Sequence, residues 1–222
     1  MATTGRDLGG GPTTRLRADA AANRERIVAA GAALFAVHGL DVPMDEVARR
    51  AGVGKGTLYR RFPDREELFA AVAADTFARL DALAVHVADT EPDPWIRLCR
   101  YLREWLTLSL GVVYEALCAD LPTMLEARPE VRAARETWLT RLEWLTAEAQ
   151  GAGRLREDVR AGDIALFMNV LQRSRNGQPL LRQSAERFLE IMLDGLSVHR
   201  DVPLPGIPLG IPALRASTRR HD

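Results

Sequence analysis

A short run of residues between positions 52 and 62 carries chemistry that suits contact with phosphate groups. The run reads Gly-Val-Gly-Lys-Gly-Thr-Leu-Tyr-Arg-Arg-Phe, and Lys55 within it is the only lysine among the 222 residues. Three cations, a hydroxyl and a phenol stand beside glycines, whose backbone can approach a ligand closely because it carries no Cβ. These residue types indicate a phosphate-binding segment, for either a nucleotide or a nucleic acid.

The nucleotide alternative requires the P-loop pattern G-x-x-x-x-G-K-[ST] directly after a buried strand. Arg49 occupies the position of the first glycine, and Gly56 separates Lys55 from the hydroxyl of Thr57. The preceding residues 44–51 place their apolar side chains at helical spacing, so no strand is expected there. A nucleotide-dependent enzyme is therefore disfavoured, and we expect no enzymatic activity, no cofactor and no metal site.

The nucleic-acid alternative fits two short helices joined by a tight turn. The first is predicted from about Pro43 to Ala51, and Gly52 is expected to end it in a left-handed conformation. The second follows Gly54 and ends before Pro63, because the residue preceding a proline is pushed out of helical geometry. This arrangement is a helix-turn-helix, whose second helix enters the major groove of DNA.

The second helix is predicted to turn Leu58 and Phe62 toward the core and its polar side chains outward. Supporting helices are predicted upstream over residues 23–38 and downstream from Asp64, which caps the latter. An ordinary solvated face would explain the two arginines but neither Tyr59 nor the paired glycines. The outward residues are the predicted DNA contacts: Lys55, Thr57, Tyr59, Arg60, Arg61 and Arg65.

Four short motifs occur together in this part of the chain. They are Asn-Arg-Glu-Arg-Ile at 23–27, Leu-Phe-Ala-Val-His-Gly at 34–39, Ala-Gly-Val at 51–53 and Gly-Thr-Leu-Tyr-x-x-Phe at 56–62. As a block, residues 23–73 resemble the tetracycline-repressor (TetR/AcrR) family of bacterial regulators. The resemblance implies an all-α chain, with an N-terminal three-helix helix-turn-helix domain followed by an antiparallel helical ligand-binding and dimerisation domain.

The resemblance also implies roles for individual residues. By position, Lys55 and Thr57 look like base-edge and phosphate contacts, and Tyr59 looks like the family's phosphate-binding tyrosine. Arg65 stands where a lysine is usual, and Arg61 stands where the family often has histidine. The extra charge of Arg61 is not expected to weaken DNA binding.

Charge and composition divide the chain into four predicted segments. Residues 15–65 hold ten basic and six acidic side chains, although the formal net charge of the whole chain is zero. We predict a disordered arm over 1–18, a DNA-binding domain over 19–66, a ligand-binding and dimerisation domain over 67–200 and a flexible tail over 201–222. No signal peptide and no apolar run of 18 residues is found, so a soluble, cytoplasmic protein without membrane contact is expected.

The middle of the chain predicts further helices and no strands. Helices are expected near 64–88, 94–110, 112–120, 129–151, 160–174 and 182–199. The last two carry broad apolar stripes, which the resemblance identifies with a homodimer interface. Two helices that close a single core would give the same pattern. Cys99 and Cys118 are predicted to be buried free thiols.

Aromatic side chains of the middle region predict an apolar ligand pocket. Its candidate lining residues are Trp105, Tyr114, Trp138 and Asn169, with Arg103, Glu104 and Gln172 as further polar groups. Packing in an ordinary core is the alternative for each tryptophan. The sequence thus predicts a regulator, most simply a repressor, that binds a pseudo-palindromic DNA operator and an unidentified small-molecule effector. The alternative is a helical small-molecule-binding protein whose DNA-binding end is vestigial.

Overall fold

The computed structural model describes residues 12–38, 41–108, 128–177, 179–198 and 204–212. Its helices, in chain order, are α1 (Pro12–His38), α2 (Met44–Ala51), α3 (Lys55–Arg61), α4 (Arg65–Thr90), α5 (Pro94–Thr107), α6 (Pro129–Gly151), α7 (Ala161–Gly177) and α8 (Pro179–Leu196). Within these ranges no β-strand forms, and the backbone pairing of β type is limited to an isolated bridge between Leu155 and Ser197. The predicted all-α architecture is confirmed, whereas the helix predicted over 112–120 and Cys118 lie outside the described residues.

The first helix begins well before its predicted start. α1 already runs from Pro12, so residues 12–18 are helical where a disordered arm was expected. Proline suits the first helical position, because its missing N–H has no partner there in any case. The alanines and arginines that follow have high helix propensity, which outweighs the glycine and threonine content considered in the sequence.

The N-terminal helices close on one apolar cluster. Its buried members include Ile27, Leu34 and Phe35 of α1, Met44, Val47, Ala48 and Ala51 of α2, and Leu58 of α3. Gly31 brings α1 close to α4, because a Cβ at this glycine would lie 3.2 Å from Cγ2 of Val72. Phe35 and Phe69 meet edge to face with ring centroids 5.5 Å apart. α1, on which α2 packs, is thereby held against the first turns of α4.

α4 connects these helices to the rest of the molecule. Asp64 caps it as predicted, its carboxylate accepting a hydrogen bond from the backbone N–H of Glu67 at 2.7 Å. Farther along, Phe77 stacks on Trp138 of α6 with centroids 5.2 Å apart. The first half of α4 therefore packs on α1 and the second half on α6, within one continuous apolar core.

The last two helices pack against each other in opposite directions. Only residue 178 separates α7 from α8, and such a short connection makes neighbouring helices antiparallel. Ile164, Met168, Leu171, Leu189 and Leu193 turn inward and are buried. A second apolar set on the same helices is exposed over 38–59 % of its surface: Phe167, Val170, Phe188 and Ile191.

Residues 204–212, here called the C-terminal strap, pack on the start of α7. The N–H of Leu204 donates to Asp158 at 2.7 Å, and that of Leu209 donates to Asp163 at 2.9 Å. Ile211 is buried. Two carboxylates and an apolar site therefore hold this segment, which lies within the range 201–222 where a flexible tail was expected.

None of the helices in the described ranges is both long enough and apolar enough to cross a bilayer.

Candidate nucleic-acid interface

A tight turn fixes the angle between α2 and α3. Gly52 has φ of 65° and ψ of 36°, the left-handed conformation that was predicted for it. Its N–H donates to the carbonyl of Arg49 at 3.2 Å, and the N–H of Val53 donates to that of Ala48 at 3.0 Å. This pair of bonds is the Schellman arrangement, which satisfies carbonyls at a helix end and favours glycine.

α3 begins at Lys55, immediately after the turn. The carbonyl of Gly54 accepts hydrogen bonds from the N–H groups of Thr57 and Leu58 at 2.9 and 3.1 Å. Leu58 and Phe62 are buried, as their spacing predicted. The helix therefore presents its other faces outward, with Lys55 at its N-terminal end.

The lysine itself is engaged in an ion pair. Lys55 Nζ lies 2.5 Å from Oδ2 of Asp45, a residue in the first turn of α2. Both side chains are exposed, at 67 % and 54 %. The hydrogen bond to Asp45 raises the pKa of Lys55 above its usual value, so the ammonium form is reinforced. The sequence did not reveal this partner, since it lies ten residues away on another helix.

The remaining predicted contacts surround the outer face of α3. Tyr59 is 45 % exposed, Arg60 and Arg61 are exposed, and Arg65 is half-buried at the start of α4. Thr57 is half-buried, and its hydroxyl accepts a hydrogen bond from Arg60 at 3.4 Å. Among the described residues, no carboxylate lies within ion-pair distance of the three arginines. All six predicted residues lie on α3 or at the start of α4, each at least partly exposed, and Thr57, Arg60 and Arg61 share one cleft.

A cleft between α1 and α3 adds residues that sequence reasoning left out. It has a volume of about 160 Å³, and Asn23 and Arg24 of α1 line it opposite Arg60 and Arg61. The guanidinium carbon of Arg24 lies 6.0 Å from the ring centre of Phe62. The sequence marks both residues only as part of a supporting helix, and their approach to α3 depends on how the two helices cross.

Two glycines flank Lys55 in open space. A Cβ built at Gly54 or Gly56 would meet no other atom within 4 Å. Gly54 has φ of −69°, which any residue can adopt, and Gly56 lies within α3. Neither the backbone conformation nor the packing of the free protein requires glycine at these two positions.

The predicted ligand residues Trp105 and Trp138 form the centre of a packed aromatic cluster. Their rings meet edge to face at 5.5 Å, and the indole N–H of Trp138 donates to the hydroxyl of Tyr101 at 2.9 Å. Burial raises the pKa of Tyr101, so the hydroxyl stays protonated. Tyr114 lies outside the described residues. In this structure Trp105 and Trp138 are therefore packed as in an ordinary core, which is the alternative considered for them above.

Buried polar atoms remain next to this cluster. Among the described residues, Nε1 of Trp105 and Nδ2 of Asn169 have no hydrogen-bond partner. Gln172 lies one turn after Asn169 on α7, and its amide nitrogen donates to the carbonyls of Trp105 and Leu108 at 2.9 and 3.0 Å. Two donors are thus available where α7 meets the end of α5.

The other predicted polar groups already have partners. Arg103 forms a bidentate pair with Glu190 at 2.6 and 2.8 Å, and Glu104 accepts from Arg100 at 2.8 Å. The Arg103–Glu190 pair borders an open cleft of about 310 Å³ that also includes Cys99. Cys99 is a buried free thiol, as predicted, and burial raises its pKa to about 11. In the part of the chain that the structure describes, no group of three or more metal-ligating side chains occurs.

Comparison with known proteins agrees with this architecture. Residues 27–72 match the model of bacterial regulatory proteins of the tetR family, and residues 93–198 match that of the SbtR-like transcriptional regulator C-terminal domain. HTH-type transcriptional regulators of Staphylococcus aureus strains USA300 and NCTC 8325 are 41 % identical over 54 residues. That alignment covers 24 % of this chain and 29 % of those proteins.

Two solved structures extend the similarity to nearly their whole length. A TetR transcription regulatory protein from Mycobacterium vanbaalenii is 36 % identical with a TM-score of 0.60, covering 82 % of this chain and 99 % of that one. A TetR transcriptional regulator from Streptomyces coelicolor is 32 % identical with a TM-score of 0.58, covering 78 % and 98 %. With its N-terminal helix-turn-helix and its helical second domain, the chain belongs to the tetR family of DNA-binding transcriptional regulators.

Proposed function

We propose that the protein is a ligand-responsive repressor that binds a pseudo-palindromic operator as a homodimer. One observation carries the DNA-binding part of this proposal. Arg60 and Arg61 lie on α3 and Arg65 follows it, and none of the three has a carboxylate partner among the described residues. The first residue of α3, Lys55, stands between two glycines in open space. Unpaired cations and close backbone approach are what a phosphate-lined groove requires.

The six residues divide by chemistry into two roles. Tyr59, Arg60, Arg61 and Arg65 are proposed to bind backbone phosphates, since a phenol and guanidinium groups donate hydrogen bonds to anionic oxygens. Lys55 and Thr57, at the end of α3 that enters the groove first, are proposed to contact base edges. Arg24, across the cleft from Arg61, is a further candidate for a phosphate contact.

The exposed apolar face of α7 and α8 supports the dimer. Phe167 and Val170 are three residues apart on one helix, and Phe188 and Ile191 are three apart on the other, so each pair lies on one face. Covering these side chains with the same face of a second subunit removes apolar surface from water. Such a dimer would place its two α3 helices in successive major grooves, about 34–36 Å apart.

The buried donors of Trp105 and Asn169 support an effector site in the helical domain. A buried donor without a partner costs free energy, and a bound ligand with an acceptor oxygen would recover it. The effector would release DNA only to the extent that it binds the released arrangement more tightly than the DNA-bound one.

The DNA-binding proposal is tested by fluorescence anisotropy with the DNA upstream of the protein's own gene, at several salt concentrations. Tyr59→Phe and Arg65→Ala should each weaken binding, and Arg65→Ala should reduce the slope of log affinity against log salt by about 0.9. Arg100→Ala, which removes an arginine paired with Glu104 on α5, is the matched control and should leave the slope unchanged. Unchanged affinity and slope for both test variants would refute the phosphate assignment.

Lys55→Ala tests the base contact separately. It should alter the preferred operator sequence as well as the affinity, whereas a uniform loss over all sequences would demote Lys55 to a phosphate contact. A protein with a vestigial DNA-binding end would show no binding above that of a scrambled duplex. The unpaired arginines around α3 favour the regulator over this alternative.

A further inference from the structure

The Lys55–Asp45 ion pair distinguishes this lysine from the arginines around it. Arg60, Arg61 and Arg65 have no carboxylate partner among the described residues, whereas the ammonium of Lys55 lies 2.5 Å from a carboxylate. We propose that Asp45 is a specificity-determining residue, which withholds Lys55 from DNA phosphates and leaves it available to uncharged base edges. This inference rests on the proposed DNA-binding function and concerns the same surface.

The argument starts from the charges of the two possible DNA partners. A phosphate that approached Lys55 would carry its negative charge to within a few ångströms of Asp45, and the two anions would repel each other. Base-edge acceptors such as guanine O6 and N7 carry no net charge, so they meet no such repulsion. The carboxylate of Asp45 therefore weakens a contact between Lys55 and a phosphate but not a contact between Lys55 and a base edge.

Asp45 is held in place beside Lys55 by its neighbours in α2, so any phosphate that approaches this lysine meets the same repulsion. Met44 and Val47, on either side of it in α2, are buried and hold this turn of the helix in place. The neighbouring Glu46 cannot replace it, because Glu46 is paired with Arg49 within α2, Nε to Oε2 at 3.1 Å. Asp45 is thus the carboxylate of this turn that faces α3.

The consequence concerns the ratio of specific to non-specific binding. Non-specific affinity comes almost entirely from phosphate contacts, so a cation held by a carboxylate adds little to it. A specific complex still gains from the same cation through a base edge. Asp45 would therefore lower the affinity for random DNA more than the affinity for the operator.

The test compares Asp45→Asn with the wild-type protein on the operator, obtained by selection from random duplexes, and on a scrambled duplex of equal length. Affinity for the scrambled duplex should rise about fourfold, the effect of removing one charge about 5 Å away in water. The salt slope on that duplex should steepen by about 0.9, because Lys55 then neutralises a phosphate. Operator affinity should rise less, so the specificity ratio falls.

Two further variants isolate the pair. Asp41→Asn removes one exposed negative charge just before α2 that forms no ion pair with a described residue, so it frees no cation and should leave both the salt slope and the specificity ratio unchanged. In the Lys55→Ala background, Asp45→Asn should no longer steepen the slope. Thermal unfolding of each variant shows whether α2 remains folded.

The outcomes separate this proposal from the one on which it rests. Equal effects of Asp45→Asn and Asp41→Asn would show a general charge effect and overturn the role of Asp45 alone. A steeper slope that persists without Lys55 would do the same. If the wild-type protein bound neither duplex, the proposed function would fail and this inference with it.

Discussion

The two regions of the molecule differ in how their arginines are paired. In the helical domain, Arg97, Arg100, Arg103, Arg128, Arg141 and Arg156 each have a carboxylate partner. Around α3, Arg60, Arg61 and Arg65 have none among the described residues. For these six arginines the chain supplies its own counter-charges, whereas for the three around α3 the counter-charge must come from water, ions or a bound partner.

Gly162 and the two glycines beside Lys55 differ in a similar way. A Cβ at Gly162, at the start of α7, would lie 2.2 Å from the backbone oxygen of Leu209 in the strap. A Cβ at Gly54 or Gly56 would meet nothing within 4 Å. One glycine is required by contacts inside the protein, and the other two are free of such contacts. Residues that the fold does not require are the better candidates for function.

The largest effect is expected from breaking the aromatic cluster of the helical domain. Trp138→Ala should lower the free energy of unfolding by about 3–5 kcal/mol, because a fully buried indole that stacks on Phe77 leaves a cavity. Trp144→Ala on the same helix is the control, with a ring that is 37 % exposed over Arg97. It should cost about 1 kcal/mol. Equal losses in urea unfolding would contradict the assignment of the core.

A smaller loss is expected where the strap meets α7. Gly162→Ala should destabilise the protein by about 1–3 kcal/mol and expose residues 204–212 to protease, because the backbone of Leu209 must move away. Gly195→Ala, a glycine of α8 with no atom within 4 Å of its Cβ position, is the matched control. It should be neutral or stabilise by up to about 1 kcal/mol. A protected strap in the Gly162 variant would show that this contact is dispensable.

Gly56→Ala tests the helix-turn-helix region. It should raise the stability of the protein and lower its affinity for the operator. Stability should rise by up to about 1 kcal/mol, since alanine favours the helix over glycine. Operator affinity should fall by about 1–3 kcal/mol, roughly 5- to 150-fold, if the added methyl group meets the duplex. Calorimetry and anisotropy on the same sample measure both effects. Unchanged affinity would place this glycine outside the interface.

The smallest effect is a pH dependence of the strap. Hydrogen bonds from Arg156 and from the N–H of Leu204 hold the pKa of Asp158 below its usual value. A carboxyl group of lowered pKa contributes stability above its unfolded pKa, about 3.9, and loses it as the pH falls through the folded value. Asp158→Asn should therefore lower Tm at pH 7, and the difference from wild type should shrink below about pH 4. A difference that does not vary with pH would exclude this carboxylate as the cause.

Local signals made the recognition region predictable. Gly52, the spacing of Leu58 and Phe62, and the cap at Asp64 each act within a few residues, and each was confirmed. The helical domain was also predicted as helices, since apolar periodicity and prolines mark their bounds. Trp105 and Trp138 could be placed in an apolar interior, but the sequence does not show whether that interior is closed.

Features that depend on distant partners were missed. The strap is held by Asp158 and Asp163, each 46 residues away from its backbone donor. The Lys55–Asp45 pair and the approach of Arg24 to α3 depend on the angles at which helices cross. A single sequence carries no direct record of such angles, so neither the contacts of the proline-rich strap nor the ion pair of Lys55 was predicted.

The shared role of α4 has a consequence for building hybrid regulators. Its first turns are locked to α1 by the close contact at Gly31, and Phe77 belongs to the core that contains Trp138. A chimera joined at the domain boundary near residue 66 would separate Leu68 and Val72 from the helix they pack on. A junction at Ala74–Asp75, between the contacts with α1 and the contact with Trp138, would leave each set of contacts within one parent. The exchangeable unit is thus longer than the DNA-binding motif by about two helical turns.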